Sequence, residues 1–538
     1  IIKDVFKRHE LTNFEEALSG PYPTREYCVQ YRETDFKFVS RLMEQEGIYY
    51  YFKHENGKHT LVLADSASAH TPYPEFEELE YHPADKGTTT EQCISDWSVE
   101  THLQPGACAL NDFDFKNTQK DLQARAKVKR AHAAAAFEIY DYPGGYTEAG
   151  DGDAYARKRI EELQAQYEVA AAVSDCRGIR TGYTFTLANH PRDDQNRKYV
   201  ITAAEYEIKG DEFFSGQGGG ECSCSCRFRA IEAGQAFRAP RTTPKPTVPG
   251  PQTAIVVGPS EDEVFTDEYG RVKVKFHWDR YSKADENSSC WIRVAQVWAG
   301  KSWGAMYIPR IGQEVVIEFI EGDPDQPIIT GRVYNAQAMP PYEPKANKTL
   351  STLKSNSSKG GGGFNEIRFE DKKGEEQIFI HAEKNLDIRV KNDRFETIEH
   401  DRHVVVENEK FEQVKSHRNE FVEQNHLEEI GQDRNLTVKG KEAKEVGKSL
   451  SLTVKGDVIE VFKADHSEQT TGDYYLKGKT IVIEAMQNIT LSVGSSYIAI
   501  ESGAIEIQTG GQIKVQGSQA GVTGSAMTEI KGGIVKIN

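Results

Sequence analysis

The residues with the clearest capacity for chemistry are three thiols at alternate positions, Cys222, Cys224 and Cys226. On a strand they share one face, the arrangement that could present sulfur to a soft cation. No second Cys/His cluster stands beside them in sequence, so the expectation is reduced, partly buried thiols. The run Lys359-Gly360-Gly361-Gly362-Gly363 has the glycine density of a phosphate loop. It lacks the closing Gly-Lys-Ser/Thr order, and strand-like rather than helical sequence follows, so it reads as a hinge. Arg271, Lys273, Lys275 and His277 beside Phe276 and Trp278 mix cations with aromatics as single-stranded nucleic-acid sites do. The neighbouring Glu261, Asp262, Glu263, Asp267 and Glu268 oppose a polyanion, and packing against adjoining domains is expected instead. Paired carboxylates carry no information in a chain with 83 acidic residues. No residue is therefore assigned as catalytic, cofactor-binding or metal-ligating, and no cofactor is expected.

The elements that must position these groups belong to a long acidic chain. Its 538 residues, with 66 Lys and Arg against 83 Asp and Glu for a net charge of −17, leave room for about three or four domains. That balance argues against a phosphate-rich or anionic-membrane partner. No apolar run nears the ~18 residues of a bilayer span. Eight cysteines spread over this length suit a reducing cytoplasm rather than a disulfide scaffold. The first residue is Ile1, so the numbered chain is expected to start inside a longer protein.

Three blocks follow from composition. Residues 1–238 mix alternating stretches, such as 47–52 and 183–187, with helical ones. Apolar residues at Phe36, Val39, Leu42 and Met43 predict a helix over 32–45 that ends at Gly47. Residues 153–170, low in Gly and rich in Ala, Glu, Arg and Leu, predict a second. Five prolines between Pro240 and Pro251 make 239–252 a stiff, extended linker. Residues 253–336 carry five strand-like runs, 254–257, 271–277, 291–297, 314–320 and 328–333. Turn signals separate them, which suggests a small barrel of the OB type. After a looser stretch, 337–364, the last block runs from 365 to 538.

That block carries the strongest pattern. Val390, Ile398, Val406, Val414, Val422, Ile430, Val438, Val446, Val454 and Phe462 stand eight residues apart without a break. Eight residues advance an α-helix by about 2.2 turns, so the stripe would drift ~80° per repeat and could face no helical partner. A short strand plus a turn fits the octad, and alternation at Ile481/Ile483, Ile489/Leu491/Val493, Ile498/Ile500, Ile505/Ile507 and Ile513/Val515 agrees. Eight residues are too few for one chain to coil around its own core, and an isolated ribbon leaves both strand edges open. Three chains braided about a common axis resolve both problems, with the ten-residue column as trimer core. Adjacent strands ~4.8 Å apart and roughly 21 octads give a rod of about 100 Å. The column of Phe395, His403, Phe411, Asn419, Leu427 and Asn435 repeats with the same period. Were it axial, three imidazoles of His403 could meet around an ion; a hydrogen-bonded or exposed histidine is the expectation.

Several longer motifs resemble one family in their order along the chain. They are 32–36 through 46–52, Tyr140-Asp141-Tyr142-Pro143-Gly144-Gly145, 267–276, Trp303-Gly304 through 309–315, and Gly360–Gly363 with 364–371. The chain resembles VgrG, the valine-glycine repeat spike of the bacterial type VI secretion system, and through it the baseplate hub and tail-spike proteins of contractile phages. The resemblance implies a mainly β homotrimer. Its phage-hub-like domain, a β-barrel region with helical insertions over 1–238, lacks its first portion. An OB barrel at 253–336 and an intertwined triple-stranded β-helix at 365–538 follow. It implies docking of the hub on an Hcp tube, a PAAR-repeat tip at the C-terminal end, and effector cargo. Ile534, Val535 and Ile537 are the residues expected to meet the tip. Cytoplasmic assembly, then secretion or delivery into a target cell whose membrane is pierced mechanically, would make it a virulence device. A phage-like tail spike, or a spike with its own hydrolase, are the alternative readings. Against the second, only ~30 residues separate barrel from needle where a lysozyme-like domain needs roughly 100, and alternating apolar residues persist to Ile537, so the expectation is no enzyme.

Overall fold

A computed structural model describes residues 1–83, 92–210 and 223–537. Cys222 and Asn538 lie outside the described residues. The chain divides into two compact units, Ile1–Thr397 and Ile398–Asn538.

The first unit is mostly antiparallel sheet with few helices. Helix Asp35–Glu46 starts where Thr34, in extended backbone, accepts a hydrogen bond from the Lys37 N–H. It ends at Gly47, whose φ of 72° is the left-handed conformation that favours glycine. Its apolar stripe, Phe38, Val39, Leu42 and Met43, is buried with Val5, Phe6 and Ile48, whereas Phe36 is exposed. The Asn56-Gly57 turn then closes the hairpin of Tyr49–Glu55 with Lys58–Ala64.

A six-stranded sheet forms the centre of the hub region, in the order Glu78–Glu80, Thr184–Ala188, Lys198–Lys209, Ser223–Glu232, Glu168–Ser174, Ile94–Thr101. Its inner face packs Trp97, Phe185, Tyr199 and Phe228 at ring separations of 4.8–6.4 Å. The second helix spans Ala149–Gln164, not 153–170. From Glu168 the chain is a strand, because Val169–Val173 lies between two neighbouring strands whose ladders outweigh the helical propensity of Ala170, Ala171 and Ala172.

Glu46 ties the two helices together. Although burial pushes its carboxyl up, the Lys158 ammonium at 3.0 Å, Arg25 at 2.7 Å and the Tyr155 hydroxyl at 2.9 Å hold it below the usual carboxylate range. Similarly, burial opposes ionisation of Asp65. Donors from the Gly20 and Ser19 backbones and from the Tyr22 and Ser19 hydroxyls, at 2.7–2.9 Å, outweigh it and lower its pKa.

Residues 252–332 form a five-stranded sheet ordered Lys273–Phe276, Gln252–Val257, Glu314–Phe319, Pro327–Arg332, Arg293–Val294. It closes over Ala254, Val256, Val274, Phe276, Ile292, Val315, Ile317 and Ile329. The cations considered for nucleic acid are occupied locally. Lys273 donates to the Glu286 carbonyl at 2.6 Å, Lys275 to that of Ser282 at 2.8 Å, and Arg271 pairs with Asp267 at 2.7 Å. Phe276 is buried and stacks on Trp278 at 4.8 Å, while Val29 and Tyr31 from the N-terminal region complete this core. The cations a nucleic acid would need are thus engaged by loops of their own domain rather than by adjoining ones.

Within 337–364, Leu350–Lys354 is a strand that pairs with Glu366–Glu370. The glycine run closes this hairpin, with positive φ at Gly360 and Gly362, and the Lys359 N–H donates to Glu263 at 2.8 Å. In the second unit, bends recur at 399–400, 407–408, 415–416 and every eighth residue to 471–472. Among the described residues no ladder forms between 398 and 487; strands Asn488–Val493, Ser496–Glu501 and Ala504–Gln508 then make a meander. Ile481/Ile483 and Ile513/Val515 lie outside strands.

Candidate trimer interface

Each residue of the octad column sits immediately before a bend, so the turn that ends one coil fixes where the next apolar side chain projects. Val390 and Ile398 through Phe462 are 43–55% exposed in the lone chain. Phe395, Phe411 and Leu427, three residues before column members, are 88–94% exposed. An odd spacing on extended chain reverses the face, so the two columns point opposite ways. His403 belongs to the second, so it stands on the face opposite Val406.

Residues two and four before each column member lie on its own face. There the chain places ion pairs: Lys410 with Glu412 at 3.1 Å, Arg418 with Glu420 at 3.0 Å, and Arg434 with Glu428 at 3.5 Å. Further along, the same positions are Leu450 and Leu452. The face that holds the valines is therefore mixed, apolar at Leu386 and Ile388 before Val390 and at Leu450 and Leu452 before Val454, and charged in most of the coils between.

The hairpin Leu350–Lys354/Glu366–Glu370 and strand Gln377–His381 build a three-stranded sheet with inverted polarity. On its covered face Glu366, 2% exposed, accepts from the Tyr342 hydroxyl at 2.7 Å and from Thr352 at 2.8 Å. Burial pushes the Glu366 pKa up, but these two donors together with the Lys354 and Arg368 charges hold it below the usual carboxylate range. On the other face the register aligns Leu353, Ile367 and Ile380 in one row and Phe369 with Ile378 in the next. All five are 42–68% exposed. The meander repeats the arrangement, with rows Leu491–Ile498–Ile507 and Ile489–Ile500–Ile505. Aliphatic rows of this extent on one sheet face, left open, mark a surface that another chain covers.

The remaining expected residues distribute as follows. Ile534, Val535 and Ile537 are exposed. Cys224 and Cys226 lie on one strand face, Cys226 fully buried and Cys224 partly so. No group of three or more His, Cys, Asp or Glu among the described residues could hold a metal ion. No helix of the described residues is long and apolar enough to cross a membrane.

Comparison with known proteins fits this geometry. Residues 1–212 match the phage tail baseplate hub family (GPD), 253–334 the type VI secretion system/phage-baseplate injector OB domain, and 351–461 the bacteriophage T4 gp5 C-terminal trimerisation domain. The last begins at the inverted sheet and ends within the octads. The type VI secretion system spike protein VgrG1c of Pseudomonas aeruginosa is 54% identical over 404 residues, 75% of this chain and 56% of the relative. VgrG1b of the same organism is also 54% identical, with 54% of its length covered. The actin cross-linking toxin VgrG1 of Vibrio cholerae is 38% identical over 75% of this chain and 37% of its own. The chain thus spans about half the length of these curated relatives. Among solved structures, the E. coli c3393 protein, a type VI secretion component, aligns over 62% of this chain and 70% of its own at 18% identity and a TM-score of 0.41. A likeness that shallow carries no argument. The three matched domains in this order and the 54% identity do: the chain carries hub, injector OB and trimerisation domains in series and is similar to the VgrG spike proteins of type VI secretion.

Proposed function

We propose that this chain is the structural spike of a type VI secretion system, a homotrimer whose C-terminal block is a braided β-rod. The observation that carries the reading is a regular octad backbone with no ladder of its own and a half-covered apolar column at every coil. Buried backbone N–H and C=O groups need partners, and neighbouring chains in the same register supply them. In this reading the column from Val390 to Phe462 faces the axis together with the Lys/Arg–Glu pairs beside it. The apolar faces of the 350–381 sheet and the meander close against their copies. Residues 1–238 act as hub against an Hcp tube, 239–252 and 337–364 connect, 253–336 adapts, and 365–538 is the needle. Ile534, Val535 and Ile537 offer apolar contact to a PAAR tip, and effectors ride on the assembly. The spike forms in the bacterial cytoplasm and is fired outward or into a target cell, puncturing mechanically and catalysing nothing.

Native mass tests the trimer: three chains of 60.4 kDa give about 181 kDa, and a monomer overturns the architecture. Co-purification of the full chain with Hcp and a PAAR protein tests the two ends. A phage-like tail spike is the second reading, favoured by the hub and T4 gp5 domain matches, and genes adjoining this one distinguish them. A hydrolysis assay on peptidoglycan tests the absence of catalysis.

A further inference from the structure

The thiol motif gains a partner that is remote in sequence. Strand Ser223–Glu232 turns Cys224, Cys226, Phe228 and Ala230 toward the hub core, and its neighbour turns Ala170, Ala172 and Ser174 to the same side. The antiparallel register pairs Ala230 with Ala170, Phe228 with Ala172 and Cys226 with Ser174. Continued one step past Ser174, where the paired strand ends, this register runs from Cys224 toward Cys176. Cys176 is fully buried in the same core cluster as Cys226, and all three are free thiols. Directly opposed residues have Cβ atoms ~4.5–5.5 Å apart and diagonal ones ~7–8 Å, while a disulfide needs about 3.5–4.5 Å. Cys224 and Cys226, parallel on one strand, stay about 6.6 Å apart. Of these three described thiols, Cys224 and Cys176 are the pair within small adjustment of bonding, and Cys176 lies past the end of its strand, at 175–178, where the backbone can make that adjustment.

We propose that Cys176 and Cys224 are a disulfide-forming pair that closes when the protein meets a disulfide oxidant. The partly exposed Cys224 sulfur, as thiolate, attacks one sulfur of a small-molecule disulfide and expels the other as a thiol. Cys176 then loses its proton and attacks the Cys224 sulfur of the mixed disulfide, expelling the second thiol. Two protein thiols are oxidised and one disulfide is reduced to two thiols. The order follows from access: burial pushes the Cys176 thiol up, although its sulfur accepts the Gly178 and Ile179 N–H groups. The closed bond ties the turn to strand Ser223–Glu232, and its chemistry does not depend on the spike reading.

The test is to equilibrate the full chain across ratios of reduced to oxidised glutathione, alkylate free thiols, and map the digest by mass spectrometry. A Cys176–Cys224 linked peptide is expected, lost in Cys224→Ser and in Cys224→Ala, retained in Cys226→Ser, and accompanied by a Tm several degrees above the reduced chain. A stable glutathione adduct on Cys224, both thiols remaining alkylatable under full oxidation, or a bond from either to another cysteine overturns the proposal.

Discussion

Replacing Val438 with Asp probes the face on which everything in the needle depends. Val438 is 44% exposed in the single chain, so braiding removes about 70 Å² of a ~150 Å² residue surface from water. At ~25 cal/mol/Å² that burial is worth about 1.7 kcal/mol per chain, and roughly 5 kcal/mol for the three copies in one layer. Val438→Asp forfeits this and adds three carboxylates close together in a low-dielectric space. Desolvation without partners costs a few kcal/mol more for each, and mutual repulsion raises their pKa. The expected total exceeds ~8 kcal/mol per trimer at neutral pH, with partial recovery near pH 4 as the carboxyls become neutral. Asn435→Asp, on the opposite face, is the control and should stay within ~0.5 kcal/mol per chain. Calorimetry together with native mass spectrometry reads both the melting of the needle and the trimer fraction. Equal melting for Val438→Asp and wild type, or equal losses for the two variants, refutes the assignment of faces.

Other outcomes follow from the sheets and the hub. Ile380→Asp, in the row with Leu353 and Ile367, should shift native mass toward monomer while hub folding, followed by near-UV circular dichroism, is retained. Glu46→Ala leaves Lys158, Arg25 and Tyr155 without their acceptor and should destabilise the hub by about 3–5 kcal/mol in urea unfolding. Desolvation lowers the His70 pKa, although its ring hydrogen-bonds the Gly182 carbonyl at 2.7 Å. The unfolded chain therefore binds that proton first. Its contribution is complete above pH ~6.5 and falls as pH drops toward the folded value, so His70→Gln should flatten hub stability between pH 6.5 and 5. Asp65 behaves likewise at lower pH: with its folded pKa depressed, its contribution is present above about pH 4 and lost below, and Asp65→Asn should remove that acid-dependent step from a urea titration series.

Much of the candidate interface was legible before any coordinates. The eight-residue period is a local signal, repeated ten times, and each repeat restates the same strand, bend and apolar position. A helix ending at Gly47 and five strands between 252 and 332 were equally local, set by glycine capping and alternation, whereas the start of that helix at Asp35 rather than at 32 depends on the Thr34 cap. What the pattern could not separate was the polarity of the two faces: the Phe395 column and the Val390 column share a period, and only extended backbone with its odd spacing sets them apart. The inverted sheet at 350–381 was hidden for another reason. Its strands alternate as any half-buried strand does, and nothing local says that the covered side is the polar one around Glu366 and Tyr342.

Sequence alone therefore determined the octad and motivated the reading of companion chains, because both rest on short-range periodicity. Tertiary structure decided which side of each sheet is open, that Glu46 bridges two helices over a hundred residues apart, and that Cys176 joins the core cluster that holds Cys226. Those facts are matters of register between distant segments. Register is fixed by the combined packing of whole faces, and no single residue or neighbour announces it in advance.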